Sequence, residues 1–239
     1  THSRVLALFE PDAAVDSMMA AAAAEVGLSE TPAFSIEEIA EQNWVQLTQS
    51  QFDPIRVSER LWIVPSWHVT PDPAAINLIL DPGMAFGTGS HPTTRLCLEW
   101  LERTVTADCS ILDYGCGSGI LAIAAGRLGA ARISGVDIDP QAVEAAYANA
   151  ERNGVTALFA DSALPVAGEY DLVVANILSN PLRVLAPAIC AHVRSGGQLA
   201  LSGILREQAE EIIQIYAAWM PLTVADMRED WVCLSGIKP

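Results

Sequence analysis

The sequence predicts an α/β protein with a doubly wound, largely parallel sheet, and two observations carry this prediction. From Ser110 onward, short apolar segments alternate with segments of helical periodicity, which is the pattern of strands joined by crossover helices. The first of these strands runs into a glycine-rich turn and then a helix, a unit typical of proteins that bind a nucleoside-bearing cofactor. At 239 residues the chain is long enough for one such domain and a smaller one.

The N-terminal part is predicted to form the smaller unit. Arg4–Glu10 has the pattern of a strand, and residues 11–28 have that of an alanine-rich helix that ends at Gly27. Ser35 stands three residues before Glu38, a capping-box spacing that predicts a further helix start. A segment of about 45 residues buries little core by itself. We therefore expect a partial accessory domain at residues 1–42 and a linker at 43–54.

The larger domain is predicted to occupy residues 55–239. Residues 55–67 have the pattern of a hairpin that turns at 58–60, and a glycine-rich loop then leads into a helix that begins at Pro92-Thr93-Thr94. After that helix, short apolar segments typical of strands recur along the chain. Most of them are separated by segments with helical periodicity. The strand candidates are residues 110–115, 132–139, 157–161, 170–178, 197–204 and 231–237.

Charge and composition limit the kinds of partner. The 29 acidic residues outnumber the 13 basic ones, which gives a formal net charge of −16. Such a surface repels phosphate backbones, so we expect no direct nucleic-acid contact, whereas a basic protein partner suits it. The five cysteines are scattered and never spaced C-x-x-C, which favours a reducing cytoplasm over a metal site or a disulfide framework. No apolar run has the length of a membrane span, and no signal peptide opens the chain.

Three glycines, Gly115, Gly117 and Gly119, follow the first strand of the larger sheet. Glycine lets a ligand approach the backbone without meeting a Cβ atom, although many strand–helix turns use glycines for packing alone. The spacing is D-x-G-x-G-x-G, and it lacks the third glycine of the dinucleotide pattern G-x-G-x-x-G. Asp113 would repel a pyrophosphate, but it could accept a hydrogen bond from the cationic amino-acid part of S-adenosylmethionine (SAM).

Two further carboxylates follow the next two strands. Asp137 is placed to accept hydrogen bonds from both ribose hydroxyls, and Asp161 with Ser162 is placed to meet the adenine. The alternative for the aspartates after the second strand is helix capping, which we favour only for Asp139 because Asp139-Pro140 is a good helix start. The order of glycine loop, ribose acid and adenine acid favours SAM over a nicotinamide dinucleotide.

The acceptor side is predicted at the end of the fourth strand. The side-chain carbonyl of Asn176 could accept an N–H of an uncharged amine, and the turn that includes Asn180 and Pro181 could supply backbone carbonyls. A turn or cap role is the commoner one for asparagine after a strand. The similarity to the N-P-P-Y loop of amino-methyltransferases makes us favour the catalytic role for Asn176.

A glycine-rich loop before the cofactor strand is predicted to close over the methionine end of SAM. Phe86, Gly87 and Thr88 form its tip, and such a lid would exclude water from the reaction. Thr94, on the following helix, could bind the cofactor carboxylate. His91 is a candidate base, but His-Pro-Thr-Thr is also an ordinary helix entry, so we favour a structural role for it.

Five segments together resemble the PrmA family, class I SAM-dependent methyltransferases that modify ribosomal large-subunit protein eleven at the stalk base. They are "LDPGMAFGTGSHPTTRLCLEWL", "LDYGCGSGILAIAA", "GVDIDPQAVEAAYANAERNGV", "VVANILSNPLRVLAP" and "LSGIL". The resemblance covers residues 52–237 and implies a Rossmann-like sheet of seven strands. It also implies SAM as cofactor, S-adenosyl-L-homocysteine as product, and Thr94, Gly115, Asp137 and Asn176 as cofactor-binding residues.

The resemblance further implies trimethylation of lysine side chains and of the N-terminal amine of a basic ribosomal protein. It implies an N-terminal domain that recognises this substrate, of which residues 1–42 would supply only the latter half. We expect a cytoplasmic monomer with no metal site. Two alternatives stay open: a glutamine or adenine methyltransferase of the N-P-P-Y type, and a SAM-binding module without catalysis. Leu182, not an aromatic residue, follows Pro181, and this favours an aliphatic amine over a planar acceptor.

Overall fold

The structure, a computed structural model, describes residues 13–28, 30–36, 52–81, 89–164 and 167–239. The chain divides into two compact units, residues 1–50 and 51–239, while the boundaries of the sequence-based domains stay predictions. In the first unit, helix α1 (Val15–Glu25) matches the alanine-rich helix of the sequence, and Gly27 follows its end with a positive φ of 77°. The strand predicted at Arg4–Glu10 and the capping-box Glu38 lie outside the described residues.

The second unit opens with a small sheet of three strands. Strands β1 (Ile55–Arg56) and β2 (Leu61–Val64) pair antiparallel, which confirms the predicted hairpin. Strand β3 (Ile76–Ile79) adds to β2 in parallel and was not predicted from the sequence. The small sheet packs beside the large one through the buried side chains of Leu61, Ile63 and Leu78.

The large sheet has seven strands with helices between most of them. The strands are β4 (Ser110–Tyr114), β5 (Arg132–Asp137), β6 (Leu158–Asp161), β7 (Tyr170–Asn176), β8 (Val193–Leu205), β9 (Thr223–Arg228) and β10 (Trp231–Ile237). The helices are α2 (Pro92–Thr104), α3 (Ile120–Leu128), α4 (Pro140–Arg152), α5 (Ser179–Ala191) and α6 (Ala209–Tyr216), with a 3₁₀ turn at Arg206–Gln208. Every strand candidate in residues 110–237 is present, and β9 is an additional strand.

The strand order is β6-β5-β4-β7-β8-β10-β9. From β4 the chain builds outward through β5 and β6, and it then returns to the other side of β4 with β7 and β8, all in parallel. Strand β10 runs antiparallel to both of its neighbours, β8 and β9. The topological switch point therefore lies between β4 and β7, and open α/β sheets bind ligands at the carboxyl ends of the strands at such a point.

Both faces of the large sheet are covered, as a doubly wound fold requires. Ile111 points into the core beneath α2 and α3, while its neighbour Leu112 points into the core beneath α5 and α6. All five cysteines are buried free thiols. Among the described helices, none is both long enough and apolar enough to cross a membrane.

Candidate functional site

A small cavity opens at the switch point between β4 and β7. The glycine loop after β4, the last residue of β7 and the first turn of α2 converge there. The lining residues are Thr94, Gly115, Cys116, Gly117, Ile120, Leu121 and Asn176. Four of these were predicted as cofactor residues. The other three, Cys116, Ile120 and Leu121, lie within two residues of the glycines, and this proximity is the signal that would have found them.

The glycine loop has a conformation that requires glycine. Gly115, Gly117 and Gly119 have positive φ values of 82°, 52° and 78°. Residues other than glycine rarely adopt this backbone conformation. Gly119 is also the N-cap of α3, and a Cβ atom there would lie 3.0 Å from the Cβ atom of Ala146 on α4. Gly119 is therefore required by helix packing, and its contact with a cofactor stays a prediction.

Asp113 lies beneath the loop and is completely buried. One carboxylate oxygen accepts a hydrogen bond from the Ala122 amide at 3.1 Å, and the other has no partner among the described residues. Burial, together with the nearby charge of Asp137, raises the pKa of Asp113 to about 7, although the Ala122 hydrogen bond opposes this. A buried carboxyl with one unused oxygen is suited to receive a cationic group.

Asp137 and Asp161 lie side by side at the carboxyl ends of β5 and β6, where they are paired in the strand register. The carboxylate of Asp137 accepts hydrogen bonds from the Gly117 amide at 2.8 Å and the Asp139 amide at 3.0 Å. The carboxylate of Asp161 accepts one from the Ala163 amide at 2.8 Å. Because the Asp137 carboxylate accepts the hydrogen bond of the Gly117 amide, the position of this carboxylate depends on the conformation of the glycine loop.

Asp139 has the capping role that the sequence favoured. It is the N-cap of α4, and its carboxylate accepts a hydrogen bond from the Gln141 amide at 2.9 Å, with Pro140 in the first turn. His91 is likewise the N-cap of α2. Its Nδ1 lies 2.8 Å from the Thr93 hydroxyl, and its ring packs edge-on against Trp231 with the centroids 4.9 Å apart.

Asn176, the last residue of β7, reaches the first turn of α2. Its amide nitrogen donates to the hydroxyl of Thr94 at 3.3 Å, and Thr94 is 1% exposed. Its amide oxygen is buried and has no partner among the described residues. The contact with Thr94 thus leaves Asn176 with one unused acceptor beside the cavity.

The rest of the predicted acceptor loop differs from the expectation. Helix α5 begins at Ser179, so the turn after β7 is shorter than the one predicted to extend to Pro181, and Asn180 and Pro181 lie in the first helical turn. Pro181 is tolerated there because helical amides of the first turn need no partner within the helix. The predicted lid residues Phe86, Gly87 and Thr88 lie outside the described part of the chain.

These features fit the cofactor predicted from the sequence. Two buried acceptor oxygens, on Asp113 and Asn176, lack partners within the described residues, as expected where a ligand donates hydrogen bonds. Carboxylates end β5 and β6, the two successive strands on one side of β4, where ribose and adenine donors are expected. A nucleoside with a cationic amino-acid group matches this set of acceptors.

Comparison with known proteins identifies the family. A family model described as ribosomal protein L11 methyltransferase (PrmA) matches residues 1–239. The chain belongs to the PrmA family. A ribosomal protein L11 methyltransferase of Dechloromonas aromatica is 82% identical over 238 residues, which are 100% of this chain and 80% of that relative. The resemblance indicated by the sequence motifs is thereby confirmed.

Solved structures agree with membership of the PrmA family. The ribosomal protein L11 methylase of Lactobacillus delbrueckii subsp. bulgaricus superposes with a TM-score of 0.73 and 35% identity, over 78% of this chain and 99% of that one. A 16S rRNA methyltransferase of T. thermophilus, solved with AdoMet and guanosine, has a TM-score of 0.53 and 22% identity, over 65% of this chain and 45% of that one. At that identity the second likeness shows the shared fold alone, and the predicted seven-stranded methyltransferase sheet is confirmed.

Proposed function

We propose that this protein methylates ribosomal protein L11, transferring methyl groups from SAM to lysine side-chain amines and to the N-terminal amine. The observation that carries the proposal is the buried amide oxygen of Asn176, which lies beside the cavity at the switch point and has no hydrogen-bond partner among the described residues. Membership of the PrmA family and the name of the relative at 82% identity support the choice of substrate.

Three groups of residues hold the cofactor in this proposal. The backbone of Gly115 and Gly117 lines the loop that admits the cofactor, and Asp137 accepts the ribose hydroxyls while Asp161 meets the adenine. The Asp113 oxygen that has no partner among the described residues accepts a hydrogen bond from the ammonium group of SAM, and the Thr94 hydroxyl binds the carboxylate of SAM. When bound, SAM supplies a methyl group on a sulfonium centre that is already activated toward a nucleophile.

Asn176 orients the acceptor amine. Because its amide nitrogen is used by Thr94, its oxygen is directed as an acceptor, and it can take one N–H of an uncharged amine. Such a hydrogen bond leaves the lone pair of an uncharged amine free for in-line attack on the methyl group. A protonated amine has no lone pair and must lose a proton to solvent before transfer. The contribution of the protein is therefore mainly positioning, which can lower a barrier by several kcal/mol, up to about 10.

The proposed partner also agrees with the charge of the chain. A formal net charge of −16 attracts a basic ribosomal protein and slows the approach of RNA phosphates. We accordingly propose a cytoplasmic enzyme that acts as a monomer on the protein and makes no direct contact with nucleic acid.

Intact-mass analysis tests this proposal. Purified L11, free and within assembled large subunits, is incubated with this protein and SAM, and its mass is followed with time. We expect gains in steps of one methylene, and peptide mapping should place them on lysine side chains and the N-terminal amine. An L11 variant whose lysines are replaced by arginine serves as the control, because only N-terminal methylation can remain.

Each outcome has a distinct meaning. Methylation of L11 only at glutamine residues would replace amine transfer by the amide alternative. Tight SAM binding without any mass gain on either form of L11 would reject the proposed substrate, and it would favour a binding module or another acceptor.

A further inference from the structure

Ile177, the residue after Asn176, lies between two glycines of neighbouring strands. A Cβ atom at Gly115 would lie closer than 3.0 Å to the Cγ2 atom of Ile177, and one at Gly203 would lie 2.7 Å from its carbonyl carbon. Real Cβ atoms essentially never approach so closely. The glycine loop of β4 and the end of β8 thus enclose Ile177 from two sides.

Strand register and a β-bulge explain the approach of Gly203. Asn176 is paired with Ser202 across the parallel strands β7 and β8, so Ile177 and Gly203 follow that pair on each strand. On its other side β8 is bulged: two residues, Ser202 and Gly203, stand opposite the single residue Cys233 of β10. Bulges of this kind bend a strand and often occur beside active sites.

Two features require glycine at position 203, a positive φ and the close approach of the Ile177 backbone. The φ of Gly203 is +83°, but Gly154 also has a positive φ, +65°, and a Cβ atom there would have nothing within 4 Å. The close approach to Ile177 is the feature that separates the two positions. At Gly203 the nearest atoms belong to the backbone of Ile177, so no side-chain rotation can relieve an added Cβ atom.

We propose that Gly203 is a positioning residue for methyl transfer: with Gly115 it seats Ile177, and this fixes the amide of Asn176 against the cavity. The inference rests on the proposed function of Asn176. Gly115 lines the cavity, while its Cβ direction points at Ile177 and not at open space. The cofactor loop and the acceptor loop are therefore coupled through one side chain.

The first experiment compares Gly203→Ala with Gly154→Ala, which introduces backbone strain without a close contact. Activity on L11, S-adenosylhomocysteine affinity by calorimetry, and unfolding temperature are measured for both variants. For Gly203→Ala we expect kcat to fall by about 10-fold or more, with the affinity within about threefold of wild type. Gly154→Ala should keep kcat within about twofold. Equal losses of kcat in the two variants would overturn the proposal.

A second experiment does not depend on methyl transfer. Gly115→Ala should weaken S-adenosylhomocysteine binding by about 10-fold or more, because Ile177 Cγ2 blocks the added atom and a β-branched side chain is stiff at χ1. Adding Ile177→Ala leaves ordinary contact, since the Ile177 Cβ atom is 3.8 Å away, and should restore affinity at least about threefold. If the affinity losses of Gly115→Ala and Ile177→Ala simply multiply in the double variant, the coupling is overturned. This outcome does not depend on whether Gly203→Ala folds. A wild-type protein that binds the probe but methylates nothing would reject the proposed function alone.

Discussion

The amide nitrogen of Asn176 donates a hydrogen bond to the hydroxyl of Thr94 at 3.3 Å, across 82 residues of chain. This contact joins the end of β7 to the first turn of α2, the two elements that flank the cavity. It also decides which half of the amide remains available, because the oxygen of Asn176 is left as a buried acceptor. A residue on the cofactor side therefore orients the residue proposed to hold the acceptor amine.

The first prediction concerns this pair. Asn176→Ala should lower turnover by about 100-fold or more while S-adenosylhomocysteine affinity stays within a few-fold, since a positioning group is lost. Thr94→Val keeps the side-chain shape and removes the hydroxyl, and it should reduce both turnover and affinity. In a double-mutant cycle on turnover, the two changes should show coupling of about 0.5–1.5 kcal/mol. Fully additive effects would mean that the contact does not orient the amide.

The second prediction separates two neighbouring aspartates. Asp137→Ala should weaken S-adenosylhomocysteine binding by about 1–3 kcal/mol, because the ribose acceptor and the hydrogen bond to the Gly117 amide are both lost. Asp139→Ala is the matched control: it removes the cap of α4 and should cost about 1 kcal/mol of stability without changing affinity. Calorimetry and thermal unfolding measure the two effects. An affinity loss in the Asp139 variant as large as in the Asp137 variant would contradict the assignment.

The sequence predicted the main sheet because its central strands are short apolar segments separated by helical ones. Strand β9 was not predicted because it is an edge strand. Residues 223–228 are mostly exposed, so no buried face produces an alternation of apolar and polar residues. Strand β3 lies in a short, mostly apolar segment interrupted by Asn77, just before the glycine-rich loop, and periodicity alone does not distinguish strand from helix there.

The sequence predicts those features of the site that follow from the strand topology. It does not predict those that follow from packing between side chains and neighbouring strands. Asp113, Asp137 and Asn176 each lie on a strand or at its carboxyl end, so a parallel sheet brings them to one edge. The burial of Asp113 and the close approach of Gly203 to Ile177 are properties of packing between strands, and a single sequence holds no signal for them.

The third prediction distinguishes a helix cap from a catalytic base at His91. Serine is also a good N-cap, so His91→Ser should retain more stability than His91→Ala, which should lose about 1 kcal/mol through the cap, while both lose the packing on Trp231. Turnover of the serine variant should keep the wild-type pH profile. Removal of a general base would instead lower turnover by about 10²–10⁴-fold and abolish one limb of that profile. Thermal unfolding and pH-dependent kinetics provide the two measurements.

The last prediction concerns the buried carboxyl of Asp113. Its pKa is about 7 in the folded protein, against an ordinary value of 3.8, so the folded state binds more protons than the unfolded state between these two values. The stability contributed by this group is therefore present below about pH 4, falls as the pH rises toward 7, and is constant above that. Asp113→Asn preserves an acceptor for the Ala122 amide and cannot ionise. The stability of the variant relative to wild type should thus increase from pH 4 to pH 7 and then level off, as measured by denaturant unfolding at several pH values. A difference between Asp113→Asn and wild type that is the same at pH 4 and pH 8 would mean that the Asp113 carboxyl titrates normally in the folded protein.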